Sequence, residues 1–133
     1  MTLPTEDRPE ATPEHSDTIY EVLYQGQPIG RSRLEGRDAA MGMALGAFKP
    51  LPAYQAVQSV FLLFVEAEEA RMRGEAALAA EQLTTYYQAR DALRLTLQTA
   101  AGRLIPTSNI HIMDFGEEVG REVHVGMLDP TFW

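Results

Sequence analysis

Residues 52–90 read PAYQAVQSVFLLFVEAEEARMRGEAALAAEQLTTYYQAR, and whether this stretch makes one helix or two decides the fold. Pro52 suits the first turn of a helix, where its missing N–H is not needed. Helical spacing follows at Tyr54, Val57, Val60/Phe61 and Phe64/Val65. Leu62 and Leu63 broaden that apolar face, which predicts a helix well buried over its first three turns. Beyond Val65 the chain turns polar, and Glu69 and Arg73 stand at the i,i+4 spacing of a helical ion pair. Gly74 is a break or cap. A second stripe then runs through Ala76, Ala80, Leu83 and Tyr87, flanked by Ala79 and Tyr86. As one rod, residues 53–90 would extend roughly 57 Å. A domain of this length has a radius of gyration of about 14 Å. An antiparallel helical hairpin broken near residues 72–76 is therefore expected, whereas an unbroken rod would imply a coiled-coil dimer arm.

Both flanks of this stretch read as strands. TIYEVLY at residues 18–24 is β-branched and aromatic, Gln25-Gly26-Gln27-Pro28 supplies turn residues, and IGRSRLE at residues 29–35 extends again, which spells a hairpin. Gly36-Arg37-Asp38 closes the second strand on this reading. A third run, Met41 to Phe48, alternates Met41, Met43, Leu45 and Ala47 with Gly42, Ala44, Gly46 and Phe48. After the helices, Leu93, Leu95 and Leu97 alternate with Arg94, Thr96 and Gln98 as a half-buried strand. Ile110 to Phe115 and Glu122 to Leu128 are the last two strands, separated by a polar turn from Gly116 to Gly120. The order β-β-β-α-α-β-β-β predicts an α+β fold, a mostly antiparallel sheet with the central helical hairpin packed on one face.

The chain has 133 residues and no cysteine, which excludes disulfides, thiolate metal sites and cysteine nucleophiles. Residues 1–17 carry five acids against Arg8, a net charge of −4, with three prolines and almost nothing apolar. Such a segment reads as a disordered acidic tail, leaving residues 18–133 as a single α+β domain. The formal charge is −8, so half of it lies on that tail. Bulk nucleic-acid binding needs a basic footprint and is not expected. The longest apolar run, Val60 to Val65, is far too short to cross a membrane, and the N-terminus has no signal-peptide pattern. A cytoplasmic protein is expected. The basic residues are ten Arg and one Lys, and with the abundant Ala this fits a GC-rich bacterial genome.

Catalytic constellations are weak. His111, Asp114 and His124 are the one set from which a metal site can be drawn on paper, but in a regular strand His111 and Asp114 point to opposite faces. None of Ser16, Ser32, Ser59 and Ser108 stands in a nucleophile motif. Glu66, Glu68 and Glu69 read as a solvated helix end, and the glycines around Met43 lack the lysine of a phosphate loop. No catalytic residue, metal or cofactor is therefore assigned. Surfaces remain. Arg31, Arg33 and Arg37 crowd one short stretch and could grip an anionic partner, or pair with Glu21, Glu35 or Asp38 on an open sheet face. Phe132 and Trp133 either fold back on the domain or anchor another chain, including a second copy in a homo-oligomer. The expected function is that of a small non-catalytic protein-interaction domain. The alternative is a small-molecule pocket between helices and sheet, lined by Tyr54, Tyr86, Tyr87, Met41 or Met43.

Overall fold

Gly74 breaks the helical stretch. In the computed structural model, which describes residues 18–133, α1 spans Gln58–Met72 and α2 spans Ala76–Leu93. The acidic segment at residues 1–17 lies outside the described residues. Gly74 adopts a left-handed φ of 84°, which a side chain would strain. The Glu75 N–H donates to the Ala70 carbonyl at 2.9 Å and the Gly74 N–H to the Arg71 carbonyl at 3.0 Å, so the two bonds of a Schellman cap turn the chain back. Upstream, Pro52 opens a 3-10 segment, Pro52–Ala56, that leads into α1. Downstream, α2 ends at Arg94, itself left-handed at φ 54°. The helix therefore takes in Leu93, and the strand expected to begin there begins later. No breaker stands between Arg90 and Leu93, so the alternating leucines yield to helix propagation.

The remaining strands are β1 (Tyr20–Tyr24), β2 (Gln27–Ser32), β3 (Gly36–Asp38), β4 (Met43–Ala47), β5 (Lys49–Pro50), β6 (Thr96–Thr99), β7 (Leu104–Ile105), β8 (Thr107–Asp114) and β9 (Arg121–Met127). The α+β class and the strand–helix–strand order hold. The strands divide between two antiparallel sheets, ordered β5-β2-β1-β6-β7 and β3-β4-β9-β8. The first hairpin forms as its sequence suggests, with Gln25 and Gly26 both at positive φ, which suits the twist of the strands. One local expectation changes. Gly36-Arg37-Asp38 does not close β2; after a left-handed Leu34 it crosses to the other sheet and pairs with β4. In β4 the buried side is Ala44 and Gly46, continued by Phe48, while Met41 is exposed. Between β8 and β9, Gly116–Val119 is one helical turn, α3.

One core joins the sheets to α1. A file of rings runs from Phe48 to Tyr54 at 5.3 Å, on to Phe61 at 6.3 Å and to Tyr86 at 6.2 Å. Ile29, Leu34, Leu97, Ile112, Val123 and Val125 fill the space around them. The helical hairpin is less buried than its apolar spacing suggests. In α1 only Phe61, Ala67 and Ala70 are buried, and in α2 only Ala79 and Tyr86. The two helices pack chiefly on each other, and α1 lies along β8. Much of the second half of α1 is thus left beside an open space.

Gly30 shows how tight the core is. A Cβ built there would fall 2.1 Å from the Phe48 ring, a distance that no side chain can occupy. Gly30→Ala is expected to cost about 1–3 kcal/mol through overpacking. Urea unfolding of this variant, alone and combined with Phe48→Leu, checks the cause: the smaller side chain should recover part of the loss.

Candidate functional site

Of the arginines singled out in the sequence, the fold keeps Arg31 and Arg33 together and sets Arg37 apart. Arg31 lies opposite Glu21 on β1, and its Nε donates to the carboxylate at 3.1 Å. Gln98 donates to the other oxygen of Glu21 at 2.9 Å. Arg31, Arg33 and Lys49 share a cleft of about 540 Å³ with Glu21 and Glu35, so its charge is mixed. Arg37 stands in the other sheet. Its Nη1 donates to the Phe132 carbonyl at 2.8 Å, and its guanidinium lies 3.8 Å from the Phe132 ring centroid. Phe132 is buried against Tyr20, at 5.6 Å between rings. Trp133 packs edge-on to Phe132 at 5.1 Å and remains 37% exposed. The chain end is further held by Asp129, which accepts from the Thr131 N–H and hydroxyl and faces Arg103 at 3.5 Å.

The residues of the imagined small-molecule pocket do not meet in one cavity. Tyr54 and Tyr86 are core rings, Tyr87 looks outward from α2, and Met41 is exposed before β4. Tyr54 instead donates its hydroxyl to Asp114 at 2.8 Å. Asp114 is buried beside Ile112 and also accepts from Gln58 at 3.1 Å and the Gly116 N–H at 2.9 Å. Arg121 Nε lies 2.9 Å from the carboxylate, an ion contact rather than an aligned hydrogen bond, since that N–H has no well-directed acceptor. Burial alone would raise the Asp114 carboxyl; the Gly116, Arg121, Tyr54 and Gln58 contacts together hold it below the usual carboxylate range. Burial, with the Asp114 contact added, pushes the Tyr54 phenol far above its ordinary value.

His111 lies on the opposite face of β8, as strand alternation requires, and pairs across the ladder with His124. The Tyr86 hydroxyl bonds its Nδ1, and Phe64 packs edge-on at 4.5 Å. The His124 ring sits 5.8 Å away and bonds Glu122 at 2.9 Å. Burial, then the neighbouring His124 and Arg90, push His111 down to about 4. His111 is thus a neutral acceptor in a packed aromatic corner. Among the described residues, no three His, Asp or Glu side chains gather as a metal ligand set would.

A wide opening in the surface lies elsewhere, between the second half of α1 and the end of β8. It has a volume of about 920 Å³ and is lined by Phe64, Val65, Glu68, Glu69, Met72, Arg73, Met113 and Phe115. Phe64, Val65 and Met113 form a half-buried floor. Met72 is 79% exposed and Phe115 49% exposed at the rim. Arg71 is spent on Glu68 at 2.7 Å, and Arg73 reaches forward to Glu75 at 2.8 Å instead of back to Glu69. Among the described residues, neither Glu66 nor Glu69 has an ion-pair partner. Sequence reasoning missed this groove because it placed Phe64 and Val65 inside. The available signal was Met72, an apolar residue in a polar turn on the same side of the helix as Phe64, Val65, Glu68 and Glu69.

Among the described residues, no helix is long and apolar enough to cross a membrane. Compared with known proteins, the chain matches no family model, no curated protein and no solved structure.

Proposed function

We propose that this chain is a small non-catalytic protein-interaction domain, an adaptor, inhibitor or immunity-type partner, and that it meets its partner through the α1–β8 groove. One observation carries the reading: an open cleft of about 920 Å³ whose floor and rim are Phe64, Val65, Met72, Met113 and Phe115. Side chains of this size left in water favour a surface that another protein covers. Methionines adapt their shape to what they meet, which suits a contact face. The polar lining is Glu68, Glu69 and Arg73, and two of the three are already engaged, Glu68 with Arg71 and Arg73 with Glu75, which leaves little to orient a small ligand. The cysteine-free, arginine- and alanine-rich composition supports a bacterial cytoplasmic setting.

The test is a paired capture from the native cell, using the full chain and a Met72→Asp, Phe115→Asp variant. Both positions are exposed, so the variant should keep its melting temperature. A stoichiometric protein that the native chain retains and the variant loses is the expected result. A partner retained equally by both would sink the groove as the contact, and a co-purified small molecule in place of a protein would sink the reading as a whole.

A further inference from the structure

The chemistry of the groove narrows its occupant, granted that the groove is a protein contact. We propose that it receives a basic amphipathic helix of another protein, with large apolar side chains on one face flanked by Lys or Arg.

The apolar part comes from the floor. Phe64, Val65 and Met72 lie along α1, and Met113 and Phe115 face them from the end of β8. From residue 64 to residue 72 the helix rises about 12 Å, roughly two turns of an occupant lying alongside. Two anchors one or two turns apart on such an occupant would reach both ends of the floor. The open walls leave room for a helix rather than for a single inserted side chain.

The basic part comes from the rim. The charged residues that line the groove are Glu68 and Glu69 against Arg73. Arg73 is already bound to Glu75 at 2.8 Å, and Glu68 to Arg71 at 2.7 Å. Glu69 is exposed and, among the described residues, has no ion-pair partner. Residues 18–133 carry a further net −4 by formal count, so a basic segment is drawn in and an acidic one repelled. The same charge opposes a second copy as occupant, because each chain carries −8 and would bring an identical acidic rim.

The probes are three labelled peptides of about 18 residues, or five helical turns. One is an amphipathic Leu/Lys helix, one is the same pattern in Leu/Glu, and one has the same lysines without the leucines. Fluorescence anisotropy follows their binding to the full chain. The Leu/Lys helix is expected to bind with a roughly micromolar Kd. The other two should bind at least about tenfold more weakly. Met72→Asp with Phe115→Asp, and separately Glu68→Lys with Glu69→Lys, should each weaken the Leu/Lys peptide by about tenfold or more. Two variant pairs that differ in chemistry guard against a fold defect in either. Binding of the Leu/Glu helix that Met72→Asp abolishes would overturn the basic occupant while leaving the groove as a contact. Leu/Lys binding that neither pair disturbs would overturn both. A dimer in sedimentation that Met72→Asp dissolves would assign the groove to a second copy and overturn the proposal.

Discussion

Asp114→Ala is expected to lower stability by about 3–5 kcal/mol, because it leaves the Arg121 guanidinium without its counter-charge in a nearly dry site. The side chains of Asp114 and Arg121 are only 1% and 13% exposed. The same substitution strands the Tyr54 hydroxyl and the Gly116 N–H, which both donate to the missing carboxylate. For a chain of this size the loss corresponds to a melting temperature lower by about 10 °C or more. Replacing both members of the pair, Asp114→Leu with Arg121→Met, should recover part of the loss, since the penalty lies in the orphaned charge more than in the bond. Equal losses in the single and double variants would show that the network holds nothing by its charge. Acid should act as the substitution does. The folded carboxyl lies below its unfolded value, so its contribution is complete above about pH 4 and is lost as pH falls through the folded value.

Protonation of His111 should produce the second large effect, at milder pH. Its folded pKa of about 4 lies below an unfolded value of about 6.5. Between the two, the unfolded chain binds the proton and the folded chain does not. Stability from this group is therefore complete above about pH 6.5, falls as pH drops toward 4, and changes no further below that. The difference amounts to about 3 kcal/mol. The physical cause is the corner itself: Phe64 and Tyr86 pack on the ring, and the Tyr86 hydroxyl needs a bare Nδ1 to donate to. Urea midpoints for the native chain and for His111→Gln between pH 7.5 and 4.5 check this. The native curve should slope across that range and the variant should be flatter. Parallel slopes would place the proton elsewhere.

Features written in neighbouring residues were the legible part of this fold. Gly74 stops a helix because only a residue without Cβ takes its φ cheaply, and that can be read from one position. Gln25-Gly26 between two β-rich runs spells a tight hairpin in the same way. The opposite orientation of His111 and Asp114 follows from strand alternation alone. What did not show was which distant surfaces meet. Gly36–Asp38 looks like the tail of β2 until β4 is there to pair with it in a second sheet. Arg37 was grouped with Arg31 and Arg33 by nearness in sequence, but its partner is the Phe132 carbonyl at the far end of the chain. A lone Asp114 in a strand gives no hint that Tyr54, Gln58 and Arg121 converge on it. The groove was hidden by the same limit. Helical spacing marks Phe64 and Val65 as apolar-face residues, but only packing decides that α1 runs past the end of β8 and leaves that face open.

The central claim is that this open face is where another protein sits. Photo-crosslinking in the native cell tests it most directly, with a benzophenone side chain placed at position 72 in the groove or at the exposed position 104 of β7. A discrete crosslinked protein partner from position 72, absent from position 104, is the predicted result. No adduct from position 72, or the same adducts from both positions, would contradict the account.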